Sequence, residues 1–82
     1  MKYSYTPRGV CSRQIDLDVE DGIVCSVRFI GGCNGNTQGL SRLAEGRSVD
    51  EVISLLKGIR CGMKPTSCPD QLAKALELQK EA

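Results

Sequence analysis

At 82 residues the chain has room for one domain, and a domain that small buries only about 60% of the surface its unfolded form exposes. Eleven Lys and Arg against ten Asp and Glu leave a net charge of +1, which argues against nucleic acid or an anionic membrane as a partner, and one Phe, two Tyr and no Trp offer no stacking platform for single strands. The core must come from Val, Ile, Leu and Ala, so a second source of stability is expected, a metal or disulfides, for which five cysteines are available.

The residues Met1 to Pro7 have no apolar signal core, and no stretch approaches the ~20 apolar residues of a membrane helix. The expected location is therefore cytoplasmic, where structural disulfides are rare and grouped cysteines point to metal binding or redox chemistry.

In chain order, a short strand is expected around Tyr3 to Thr6. Arg13 to Glu20 alternates polar and apolar residues, as Ile23 to Ile30 does less cleanly, so both read as strands of a hairpin. A two-residue Asp21-Gly22 turn would put Ile15 and Leu17 opposite Arg28 and Ser26 and mix the faces. A three-residue Glu20-Asp21-Gly22 loop pairs Val19 with Ile23, Leu17 with Cys25 and Ile15 with Val27, and is the expected geometry. Gly31 to Asn36 reads as a loop. A short helix follows over Thr37 to Ala44, stopped by Gly46.

Ser48 and Glu51 form a capping box ahead of Val49, Val52, Ile53 and Leu56, with Gly58 as the stop. A connector, Ile59 to Thr66, carries Cys61. The last helix starts at Ser67-Cys68-Pro69-Asp70, where Ser caps, Pro is tolerated in the first turn and Asp suits the positive dipole end. The expected fold is α+β, one domain over residues 1–82: a small antiparallel sheet of two or three strands followed by three helices. A hairpin alone is marginal, so a third strand is expected from the N-terminus or from a second subunit in a homodimer.

The hairpin register places Cys11 across from Gly31, with Cys33 two residues further along at a diagonal of roughly 7 to 8 Å. Cys33 and Cys68 stand at helix N-termini, where the positive end of the dipole favours the thiolate that a metal requires. A six-residue connector ties Cys61 to Cys68. Cys11, Cys33, Cys61 and Cys68 are thus the candidate metal ligands, a set suited to tetrahedral zinc or to an iron-sulfur cluster. Cys25, opposite Leu17 on the inner face, is expected to be a core residue, and Arg13 to snorkel to solvent from that face near the open end.

Gly32, Asn34, Gly35 and Asn36 precede a helix and could cradle an anion or nucleotide with backbone N–H groups. The loop lacks the Lys-Ser/Thr ending of a P-loop and the spacing of a dinucleotide fingerprint, so a tight turn around Cys33 is the favoured reading. With no His, a Cys-His nucleophile pair is impossible, and the chain is not expected to be an enzyme by itself.

Thr66-Ser67-Cys68-Pro69-Asp70 spells the motif of the TSCPD domain family, and Gly31-Gly32-Cys33-Asn34-Gly35-Asn36, the length and the four cysteines resemble its small stand-alone branch. The family also includes a C-terminal region of adenosylcobalamin-dependent ribonucleotide reductases, so the resemblance implies a reductase as a protein partner, although this chain is too short to hold the reductase barrel. In that setting Cys33 and Cys68 are the pair for the alternative of thiol-disulfide redox chemistry.

The order of strand, Asp21-Gly22 turn, strand, helix and cysteine-headed last helix also resembles the NifU/IscU-type iron-sulfur scaffold. That likeness implies that Cys11, Cys33 and Cys68 converge. Arg13 stands where the scaffold family has an Asp and Ser67 where it has a His. Cys61 would then be the fourth ligand, and the loss of the Asp implies a stable metal site rather than a transferable cluster.

Overall fold

A computed structural model describes residues 2–9, 12–31, 34–60, 62–63 and 65–81, with backbone alone at 3, 12, 34–36, 80 and 81. Three strands, β1 (Lys2–Tyr5), β2 (Ser12–Glu20) and β3 (Ile23–Gly31), are followed by α1 (Asn34–Ala44), α2 (Val49–Leu56) and α3 (Cys68–Glu81), the α+β order expected. The sheet is antiparallel with β2 in the centre, so the N-terminus supplies the third strand.

Alternation along β2 sends Ile15, Leu17 and Val19 into the core and Gln14, Asp16 and Asp18 to the other face. On that outer face Asp16 accepts from Ser4 Oγ at 2.8 Å and from Gln14 Nε2 at 2.6 Å, a lattice across β1 and β2.

The hairpin turn differs from the three-residue loop expected. Glu20 pairs with Ile23 and Val19 with Val24, leaving Asp21 (φ 52°) and Gly22 (φ 76°) as a two-residue turn. Positive φ at both central positions is the twist that matches paired strands, and Asp-Gly is well suited to it. The clash of faces foreseen for this turn is removed by a bulge. The register shifts between Asp18 and Val19 so that Asp18 faces Ser26, Leu17 faces Val27 and Ile15 faces Phe29. Cys25 is the additional residue on β3. It is exposed rather than in the core, with Sγ 3.8 Å from the Ile23 carbonyl.

A second irregularity between Ser12 and Gln14 pairs Ser12 with Gly31 and leaves Arg13 as the additional residue of β2. Gly31 therefore does not face the residue before Ser12, as the unbulged register required. Arg13 is exposed, and its side chain lies over Gly31.

Helix α1 starts at Asn34, three residues ahead of the expected Thr37, so residues 34–36 form helix rather than loop. Asn and Gly favour turns and caps, which hid this first turn from a propensity reading. Packing on β3 outweighs that preference: Thr37, Ser41 and Ala44 are buried, and Ser41 Oγ returns a hydrogen bond of 2.9 Å to the Thr37 carbonyl.

Ser48 caps α2, accepting from Glu51 N–H at 3.1 Å, while the Glu51 carboxylate pairs with Arg47 at 3.3 Å. The last helix lays Leu72, Ala75 and Leu76 against Ile15, Leu17, Val24 and Val52. Each fully buried Leu, Ile or Val side chain contributes about 1.5–3 kcal/mol, a large share in a domain this small. No helix among the described residues is long and apolar enough to cross a membrane.

Candidate metal centre at the head of α3

The motif Thr66-Ser67-Cys68-Pro69-Asp70 straddles the start of α3, where Thr66, Ser67, Pro69 and Asp70 have structural duties. Ser67 is the N-cap: its Oγ accepts from Asp70 N–H at 3.2 Å and donates to the Ile59 carbonyl at 2.6 Å. Its own carbonyl accepts the helical bond from Gln71 N–H at 2.8 Å. Pro69 occupies the first turn, where a missing N–H costs nothing.

Asp70 is 3% exposed, and a buried carboxylate is tolerated only when its oxygens are bonded. One oxygen accepts from Gly58 N–H at 2.7 Å; the other accepts from Thr66 Oγ1 and lies 3.5 Å from Lys74 Nζ. Burial pushes its pKa up, but the Thr66 and Gly58 bonds and the Lys74 charge outweigh burial and leave it below the ordinary carboxylate value.

Beside Asp70 lies Gln71, also 3% exposed. Its Nε2 donates to Thr66 Oγ1 at 2.9 Å, while its Oε1 accepts from Arg8 N–H at 3.0 Å and Tyr5 O–H at 3.2 Å. A single side chain thus joins the end of β1, the segment after it and the entry to α3. The approach is close: a Cβ on Gly9 (φ 74°) would stand 3.1 Å from the Thr66 methyl group, so the segment requires glycine there.

Cys68 opens α3 and is half-buried, at the end of the helix where free N–H groups and the positive dipole gather. Cys11, Cys33 and Cys61, and with them Gly32, lie outside the described residues, as do the side chains of Asn34 and Asn36, while Gly35 is described by its backbone. Among the described residues no three Cys, Asp or Glu side chains are grouped as a metal site.

What the fold does bring together is the chain on either side of these cysteines. Gly9, two residues before Cys11, rests on Thr66. Ser12, one residue after Cys11, pairs with Gly31, two residues before Cys33. Ile59, two residues before Cys61, is bonded to Ser67, the neighbour of Cys68.

The sequence pattern alone does not mark Thr66, Asp70 and Gln71 as site-building residues. A signal existed for Gln71. It falls on the same helical face as Leu72, Ala75 and Leu76, and a lone polar residue on an apolar stripe needs partners.

No curated protein and no solved structure matches the chain, so the likeness to the iron-sulfur scaffold fold gains no support from either. A family model does match: that of the TSCPD domain, over residues 1–80. The match takes in the three strands, α1, α2, the Thr66-to-Asp70 motif and all but the last residue of α3, and the chain belongs to the TSCPD domain family.

Proposed function

We propose that the chain is a small metal-binding module in which Cys11, Cys33, Cys61 and Cys68 hold zinc or an iron-sulfur cluster. One observation carries the reading: each of the four cysteines lies within two residues, along the chain, of a contact that joins its segment to another cysteine-bearing segment. The chemistry of the set agrees, since four thiolates suit a closed tetrahedral zinc site or a four-cysteine cluster. A bound metal would cross-link the N-terminal segment, the end of β3, the connector and α3, and so supply stability that a core of short aliphatic side chains leaves short.

In this reading Thr66, Ser67, Asp70 and Gln71 are positioning residues. They set the entry and exit of the connector and the approach of the N-terminal segment, and Cys68 is the motif residue that would supply a sulfur ligand. Cytoplasmic residence fits free thiols and a reducing compartment, and the family setting makes a ribonucleotide reductase a reasonable protein partner.

The test is elemental analysis with a visible spectrum on protein purified without oxygen or added metal. Near-stoichiometric zinc without colour, or iron with visible absorbance, is the expected result, and chelation should unfold the chain. A fully folded, metal-free protein with all its thiols titratable overturns the reading and moves reversible dithiol chemistry to first place.

A further inference from the structure

Among the described residues, the sheet order β1-β2-β3 leaves the far edge of β3 without a neighbouring strand. At one end the chain covers this edge itself. Val24 N–H donates to the Arg47 carbonyl at 2.9 Å, Gly46 N–H donates to the Val24 carbonyl at 2.7 Å, and Ile23 forms an antiparallel bridge with Ser48. The next outward-facing group, Val27 N–H, donates at a long 3.4 Å to a side-chain oxygen, Glu45 Oε2, and meets no other acceptor among the described residues. Phe29 stands opposite Ile15 in the same alternation, which turns its N–H and C=O away from β2, and no described residue is bonded to it from that side.

Alongside this edge runs a groove of about 460 Å³ between β3 and α1. Its walls carry Arg28 and Phe29 from the strand and Gln38, Ser41, Arg42 and Glu45 from the helix. Both arginines are exposed. Arg42 has no ion pair among the described residues, and Asp16, which faces Arg28 across the strands, already accepts from Ser4 and Gln14. Open strand edges are a liability that folds cover or guard with charge, and Glu45 guards only Val27.

We infer that this groove is a docking site for an extended segment of a partner protein, which adds to β3 as a strand, displaces Glu45 from Val27, and sets an acidic side chain between Arg28 and Arg42. The main-chain ladder supplies affinity and the two arginines select for acid, the usual division in strand addition. The chain's own Gly46 to Ser48 segment shows that the same edge takes main-chain hydrogen bonds three residues away. The inference is independent of the metal reading, since no cysteine takes part.

The test uses the full chain and a display library of random ten-residue peptides. Selected peptides should carry an acidic residue within alternating apolar positions and should shift the amide resonances of Val27 and Phe29. Arg42→Glu, an exposed change that leaves the far-ultraviolet spectrum unaltered, should weaken the selected peptides at least tenfold, and replacing the peptide's acidic residue with Lys should restore binding to that variant. No enrichment, shifts confined to other strands, affinity indifferent to R42E, or self-association through β3 in place of peptide binding would each overturn the inference.

Discussion

Asp70 accepts a hydrogen bond of 2.7 Å from the backbone of Gly58, so the residue just past α2 is held by a carboxylate in the first turn of α3. The same carboxylate receives Thr66, and the two ends of the connector are thereby tied to one side chain. Asp70→Ala leaves the buried Thr66 hydroxyl and the half-buried Gly58 N–H without this acceptor. It should lower unfolding stability by about 2–3 kcal/mol, with Asp70→Asn costing less, both read from urea midpoints.

Acid should act through this residue. The pKa of Asp70 in the folded chain lies below its ordinary value of 3.8, so the folded state holds the proton less tightly than the unfolded one. The resulting stabilisation is fully present well above pH 3.8 and is lost as the pH falls through that value toward the lower folded one. Between pH 5.5 and 3 the urea midpoint of the parent chain should drop further than that of D70N. Parallel curves would show that other carboxylates govern the acid response.

Gln71→Leu keeps the bulk of the side chain but strips Arg8 N–H, Tyr5 O–H and Thr66 of their partner. We expect faster hydrogen exchange at Arg8 and a stability loss of about 1–3 kcal/mol, with Gln71→Glu recovering the acceptor half. An Arg8 amide that exchanges at the parent rate would show that the N-terminal segment is held by other means.

The cysteines should divide sharply. Cys25 is exposed on its bulge, so iodoacetamide should label it in the native chain, and Cys25→Ser should change stability by less than about 0.5 kcal/mol while leaving metal content intact. Cys68→Ser should abolish metal retention. Loss of metal in C25S, with retention in C68S, would reverse the assignment.

Leu76 is fully buried against the sheet, and Leu76→Ala should cost about 2–5 kcal/mol, a loss that thermal unfolding would register directly.

Much of the fold was legible because its signals are local. Ser48 with Glu51 marks the start of α2, and Ser67-Cys68-Pro69 marks the start of α3, since a cap hydroxyl and a ring that lacks an N–H act on backbone within one turn. The Asp21-Gly22 turn is equally local in its signal, yet without a bulge it puts the faces of the two strands in conflict. The bulge at Cys25 resolves that conflict, and it exists only because Ile15 and Leu17 must face the core when β3 pairs with β2.

The candidate site divides the same way. Residue type and helix position alone single out Cys68 as a thiol at a helix head. The roles of Gln71 and Asp70 were hidden, because their partners Tyr5, Arg8 and Gly58 lie 66, 63 and 12 residues away along the chain. By itself the sequence determined the elements, their caps and the number of thiols, all of which rest on interactions within a few residues. Only the tertiary structure decided which strand edge stays open, which cysteine leaves the core and which side chains tie the cysteine-bearing segments together, since burial and hydrogen bonding between distant segments exist only once the chain has packed.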